Sequence, residues 1–291
     1  MRITEAISYR NMLAGVESLN DKLEQANEEV SSGKKLLNLR DSPAESAENL
    51  QLNNQLGQLD QYQSNSDASS FYLQVTDSSL NSLYNLVTSV YSQGSAAASN
   101  FNDANARASY AADIRSQLGQ ALSLANTQVR GRYIFAGSKV TAPAFTAAGD
   151  TMTYQGDDDV NTVNIGEGLQ VHENVAGSAV FSPVFTAISG LLSAIDSGDQ
   201  GAMQTALSQF SGTLATVNNV RSQLGVDLAS VQNSATARQA EQTDIQQRQS
   251  TISSADMAVA LTQVTQTQTA LQAALSVGAV LGKQNLFDYL G

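Results

Sequence analysis

Proline is scarce in this chain, and its placement decides much of what the chain can fold into. Only Pro43, Pro143 and Pro183 occur among 291 residues. They leave 44–142 and 184–291 free of the one residue that removes a helical hydrogen bond and clashes with the preceding turn. Both stretches carry apolar residues at alternating intervals of four and three, the spacing of a seam between long helices.

The first stretch opens on "DSPAES". Ser42 fits a helix N-cap, Pro43 the first turn and Glu45 the third helical position, which together make a capping box. The seam then runs through Leu52, Leu59, Tyr62, Leu73, Leu80, Leu83, Val87 and Val90, with Gln55, Ser66, Ser69 and Thr76 in its polar slots. At ~1.5 Å per residue this predicts a helix about 58 Å long, well beyond the usual globular length. Gly94 is the expected stop. A second helix is expected over 104–130, with Ile114, Leu118, Leu122, Ala125 and Val129 on one side and Gly131 ending it. "FSPVF" repeats the Ser-Pro start at Ser182 and Pro183 and opens a short helix through Ile188, Leu191 and Ile195. The most regular seam follows, at Met203, Leu207, Phe210, Leu214, Val217, Leu224, Leu228 and Val231. It fades through Ile245, Ile252 and Val259, and "SSAD" at 253–256 restarts or bends the helix.

The two ends of the chain share this grammar. Met12, Val16, Leu19, Leu23, Ala26 and Val30 form one stripe; Met257, Leu261, Val264, Leu271 and Leu275 form another with Gln268 in its gap. An apolar tail follows at Leu286, Phe287, Tyr289 and Leu290. Chain ends are ordinarily polar and frayed, so these stripes need partners. Periodicity leaves two readings open: a coiled coil within one monomer, or a polymerisation surface.

Residues 137–181 break the pattern. Glycine and aspartate are frequent, and alternation replaces the helical period. "TMTYQ" and "VNTVNI" read as strands joined by "GDDD", with "LQVHE" as a third. The expected organisation is a terminal segment (1–42), a helical half (43–136), a β insert (137–181), a second helical half (182–252) and a terminal helix (253–291). The fold class is mainly α, an elongated rod of coiled-coil-like helices with a small inserted β domain.

Composition excludes several functions. Fifteen basic residues against 27 acidic give a net charge of −12, the wrong sign for a nucleic-acid surface. With no cysteine, disulfides and thiolate chemistry are out. The start lacks an unbroken apolar core, so it is no secretory signal, and no run of 18 apolar residues predicts a membrane span. His172 is the lone histidine and reads as structural, on the solvent side of a strand. Asp157, Asp158 and Asp159 resemble a calcium loop only briefly: Thr162 and Gly168 stand where glycine and glutamate are needed. They read better as a solvated turn. No phosphate-binding loop or serine-nucleophile motif is present. No catalytic, metal or cofactor site is expected, and the chain is read as no enzyme.

Longer motifs carry a resemblance. "VSSGKKLLNLRDSPAESAENLQLNNQLGQLDQYQSNSDAS" resembles the N-terminal region shared by bacterial flagellins and flagellar hook-associated junction proteins, and "ISSADMAVALTQVTQTQTALQAALSVGAVLGKQNLFDYLG" resembles their C-terminal helix. The series Ala125, Asn126, Gly131, Tyr133, Phe135, Gly137, Pro143, Phe145, Tyr154, Gly156 and Asp157 looks like the hook-associated protein 3 family in particular. The resemblance implies a rod-shaped structural subunit, present as one thin layer between hook and filament, with its terminal helices along the axis of a tube. It implies export, unfolded and without a cleaved signal, through the flagellar type III channel to the extracellular flagellum, with the export signal near the N-terminus. The implied partners are neighbouring junction subunits, flagellin, another hook-associated protein and a cytosolic chaperone on the C-terminal helix, with no nucleic acid and no membrane insertion. The polymer interface is then expected at Met12, Val16, Leu19 and Leu23, packed with Met257, Leu261, Val264, Leu271 and Leu275, and at Leu286, Phe287 and Leu290 against a neighbour. A short flagellin is the nearer alternative; a secreted coiled-coil adhesin or enzyme displaying the β insert is the remoter one.

Overall fold

The computed structural model describes residues 2–35, 42–99 and 103–290, with side chains at 2–6, 8 and 281–290 excepted. Long helices dominate, as the proline spacing requires. In chain order they are α1 (Arg2–Ser32), α2 (Pro43–Ala97) and α3 (Ala104–Ala125), then α4 (Gly177–Ser197), α5 (Gln200–Ser253) and α6 (Met257–Leu290). Between α3 and α4 lie β1 (Gln128–Val129), β2 (Arg132–Tyr133), β3 (Phe145–Ala148), β4 (Thr151–Tyr154), β5 (Thr162–Gly166) and β6 (Leu169–His172). The fold is mainly α with a small β insert.

The chain divides into two compact units, one of residues 1–57 and 241–291 and one of residues 58–240. In the second unit α2 and α5 supply seam residues. Leu73, Leu80, Leu83, Val87 and Val90 from α2 and Met203, Leu207, Phe210, Val217, Leu224 and Val231 from α5 are all buried. Helix α4 completes this core with Val180, Phe181, Val184, Ile188, Leu191 and Ile195. Among the described residues α4 is the one helix long and apolar enough to cross a membrane, and these apolar side chains are occupied by core packing instead.

Several expected boundaries move, each for a visible reason. Helix α2 runs past Gly94 to Ala97. A Cβ on Gly94 would come within 2.5 Å of Leu191 Cδ2, so this glycine admits α4 rather than ending α2. Helix α3 stops at Ala125 instead of near 130, and residues 128–133 turn back as the β1–β2 hairpin. Arg130 and Gly131, at φ 51° and 78°, occupy the two left-handed positions of a tight hairpin turn. Helix α4 starts at Gly177, so Pro183 lies inside it instead of at its head. Helix α5 passes unbroken to Ser253, and "SSAD" joins it to α6.

The insert is three separate antiparallel hairpins. "TMTY" pairs not with "VNTVNI" but with β3, a strand the alternation did not reveal, in register Phe145↔Tyr154. "VNTVNI" pairs with "LQVH", with an irregularity between Asn164 and Gly166. Arg238 of α5 fastens this last hairpin. It is 4% exposed; its Nη1 donates to the Ile165 carbonyl, and its Nη2 donates to Ser66 Oγ at 2.7 Å. Burial lowers its pKa, partly offset by Asp67. The serine that interrupts the α2 seam at position 66 is therefore an acceptor for a buried guanidinium.

Candidate functional site

Helices α1 and α6 pack on each other. Lys34 bridges Ser254 at one end and Met12 faces Gly278 toward the other, so the pair is antiparallel. On α1 the inner positions are Met12, Val16, Leu19, Leu23, Ala26 and Val30, the stripe expected from spacing. On α6 they are Ala260, Val264, Thr267, Leu271, Ala274 and Gly278. A Cβ added to Gly278 would stand 2.6 Å from Met12 Cε. The longer side chains of α1 thus lie against alanine, threonine and glycine, the large-against-small arrangement that lets helices approach closely.

Within one chain the α6 side of this pairing differs from the stripe expected at the polymer interface. Val264 and Leu271 are in the seam, but Met257, Leu261 and Leu275 are not; the last two are 51% and 53% exposed. The small-residue stripe and the large apolar stripe share Val264 and Leu271 and diverge by about a quarter of a turn elsewhere. Close packing selects the small one. Met257, Leu261 and Leu275 are left as an apolar flank beside the seam, and Val259, Val277 and Val280 are exposed on the opposite side. Ile7, Tyr9 and Leu13 of α1 are exposed as well. Of the fifteen exposed large apolar residues among the described ones, ten belong to the smaller unit, which marks that unit as the one with unfilled apolar surface. Leu286, Phe287 and Leu290 have side chains outside the described residues.

The start of this helix pair is fixed by backbone. Gly33, at φ 67°, closes α1; Lys35 N–H donates to the Ser253 carbonyl, and Ala255 N–H to the Gly33 carbonyl, both at 2.9 Å. Asp256 caps α6 by accepting from the Ala258 and Val259 amides. Lys35 Nζ lies 2.9 Å from Glu45 Oε1, and this hydrogen bond, with help from Ser42, holds the Glu45 carboxyl below its ordinary pKa. Glu45 therefore serves both its own helix start and the end of α1. The "SSGKK", "SPAE" and "SSAD" segments meet here, a convergence that spacing alone did not disclose.

In the other unit, the motif series forms a knot of backbone and aromatic contacts. Asn126 exchanges two 2.9 Å hydrogen bonds with the Phe145 backbone. Tyr154 hydroxyl donates to the Asp157 carbonyl at 2.6 Å and the Phe135 carbonyl at 3.2 Å. Phe145 packs tilted against Tyr154 and edge-on against Phe185, at ring separations of 4.9 and 5.0 Å. Gly137, at φ 67°, has Asp157 where a side chain would go. Burial, with Asp158 and Asp157 adding, pushes the Tyr154 pKa up to about 12.

The acidic run is part of this knot. Asp157 accepts from Ser138 Oγ and the Ser138 amide, at 2.5 and 2.6 Å, and these bonds lower its pKa. Asp158 accepts from Ser178 Oγ. His172 is exposed on β6, its Nδ1 3.4 Å from Asp227 Oδ2. Among the described residues no three His, Cys, Asp or Glu side chains converge to hold a metal.

Comparison with known proteins fits this geometry. Residues 3–140 match the bacterial flagellin N-terminal helical region, and residues 207–290 match the C-terminal helical region. Flagellar hook-associated protein 3 of Salmonella typhimurium is 27% identical over 191 residues, 63% of this chain and 60% of that protein. The chain thus matches about 60% of that curated relative's length. Among solved structures, a putative flagellar hook-associated protein from Vibrio parahaemolyticus aligns with TM-score 0.65 at 19% identity, over 73% of this chain and 99% of that one. FlgL of Bacillus cereus gives 0.61 at 23%, over 69% and 99%, and the hook-associated protein 3 of Legionella pneumophila 0.63 at 14%, over 68% and 96%. The first family match includes α1, α2, α3 and the β1–β2 hairpin and the second includes α6 and nearly all of α5, so the chain belongs to the flagellin family and is a homologue of flagellar hook-associated protein 3.

Proposed function

We propose that this protein is a structural adaptor of the bacterial flagellum that forms the junction layer between hook and filament. One observation carries the reading: α6 pairs with α1 through Val264, Leu271 and its small residues and leaves Met257, Leu261 and Leu275 outward. Each Leu or Met fully covered is worth about 1.5–3 kcal/mol, so the flank of Met257, Leu261 and Leu275 and the back of Val259, Val277 and Val280 favour further helices from neighbouring subunits. The same role, contact with a neighbouring subunit, is assigned to Leu286, Phe287 and Leu290 from the sequence alone.

In this reading 1–42 and 253–291 are the polymerisation segments, the first also bearing the export signal. Residues 43–136 and 182–252 are the helical halves of the subunit, and 137–181 is an outward insert whose motif knot keeps its base rigid. The partners are further copies of the chain, flagellin and a second hook-associated protein. The chain leaves the cell through the flagellar export channel, with a cytosolic chaperone covering α6 beforehand. Its role is mechanical and needs no catalytic group or cofactor.

Removing residues 257–291 tests this. The expected result is a soluble, folded monomer that no longer joins hook to filament. Full-length filaments grown by cells carrying the truncated protein would overturn it.

A further inference from the structure

The β1–β2 hairpin carries a feature that the terminal helices do not explain. The unit of residues 58–240 has fourteen acidic residues and seven basic ones. Most of those cations are spoken for. Arg115 pairs with Asp150 and Asp196, and Arg221 with Asp77. Arg238 is buried, Lys139 reaches the Gly156 carbonyl, and Arg107 has a partner of its own. The two that remain, Arg130 and Arg132, are exposed, lie two residues apart on one hairpin, and form no ion pair among the described residues.

Aromatic rings surround them. Arg130 Cζ sits 5.7 Å from the centroid of the Phe71 ring, and Phe71, itself 46% exposed, meets Tyr72 edge-on at 6.4 Å. Tyr72 and Tyr133 then line one shallow groove with Arg132 and Glu173. The result is a continuous cationic and aromatic platform on an otherwise acidic unit. A guanidinium held over a ring keeps its hydrogen-bonding edge free for a carboxylate. Arginine beside exposed aromatics is also the composition enriched at protein interfaces.

We propose that this hairpin is a contact site for acidic side chains of a neighbouring copy of the same chain. Charge argues for that occupant. Each copy carries −12, so copies set side by side repel unless a cationic surface meets an acidic one. The hairpin supplies that surface, and the unit's twofold excess of acids supplies its complement. This contact uses no residue of the terminal helices and is tested separately from the junction assignment.

The test is site-specific photo-cross-linking in the full-length chain, with p-benzoylphenylalanine in place of Phe71 and, in a second variant, in place of the exposed Gln128. Illumination of flagella carrying either variant should give an adduct of two copies of this chain, mapping to an acidic segment of the second copy. R130E/R132E should abolish the adduct, and R130K/R132K should retain it. An adduct joined to a different protein, an adduct undiminished by charge reversal, or no adduct from either position in assembled layers would overturn the proposal. The junction assignment is read independently, from whether filaments grow when 257–291 are removed.

Discussion

Met12 of α1 lies against Gly278 of α6 so closely that a Cβ on that glycine would stand 2.6 Å from the methionine methyl and 2.9 Å from its sulfur. The obstruction is the flexible end of a side chain, which can swing aside at small cost. Gly278→Ala is therefore expected to leave α1–α6 pairing nearly unchanged, the steric cost offset by a helix-propensity gain of about 1 kcal/mol. Gly278→Leu has no such escape and should open the pair, at about 1–3 kcal/mol. Hydrogen exchange of the amides of 8–24 would show the opening; equal protection in both variants would contradict the packing.

The knot at the base of the insert predicts a second effect. Tyr154→Phe removes donation to the Asp157 and Phe135 carbonyls and should cost about 1–3 kcal/mol. Because the folded pKa is raised to about 12 from an ordinary ~10, the native tyrosine stabilises fully below pH ~10. That contribution is lost as pH rises toward 12. The variant should lose the corresponding part of the alkaline destabilisation, as read by thermal midpoints between those pH values.

Gly137 and Asp157 supply the acid side of the same argument. Asp157 has a lowered pKa through Ser138, so its contribution is present above the unfolded value of about 3.9 and lost as pH falls through the folded one. Exchange of the Ser138 amide should accelerate below about pH 4, earlier than that of α5. Gly137→Ala places a Cβ on Asp157 at φ 67° and should cost about 2 kcal/mol or more at any pH.

Much of this architecture is legible in residue order, and the failures are instructive. The α2 and α5 seams appear because their apolar residues recur in phase, and the buried positions on α1 follow the stripe from Met12 to Val30. On α6 hydrophobicity points to Met257, Leu261 and Leu275, whereas contact within the chain selects Ala260, Ala274 and Gly278; their spacing of fourteen and four residues keeps the seam's phase but is silent in an apolar pattern. Gly94 and Pro183 misled for a related reason. Each is a boundary signal when only its own helix is considered, and each is tolerated inside a helix here, Gly94 where α4 comes close. The pairing of β3 with β4 depends on a turn between Ala148 and Thr151, too short a strand pair to show alternation.

Buried Arg238 makes a prediction about the β5–β6 hairpin alone. Arg238→Ala takes one donor from the Ile165 carbonyl, which keeps the Ser234 hydroxyl, removes the guanidinium from Ser66 Oγ and leaves a void, which should cost about 2–4 kcal/mol. Arg238→Lys should rescue little, since a single ammonium cannot replace both arms of the guanidinium. Exchange at Thr162–His172 should rise well above that at Phe145–Tyr154, and equal loss in both hairpins would contradict a local role.

The sharpest division is between the two apolar stripes of α6. Leu271 lies in the seam with α1, while Leu261 and Leu275 are about half exposed. Leu271→Ser removes a packed side chain and should destabilise the helix pair by about 2–4 kcal/mol, visible in the isolated monomer. Leu261→Ser and Leu275→Ser remove little that the monomer uses, and each should stay within about 0.5 kcal/mol of the parent. In assembly the order inverts: if neighbouring helices cover the flank, the double variant forfeits about 3–6 kcal/mol per subunit and should fail to hold filaments while folding normally. Monomer unfolding curves set beside filament counts in cells read both halves of the argument. A double variant with normal filaments would leave the flank without an assembly role, whatever its exposure.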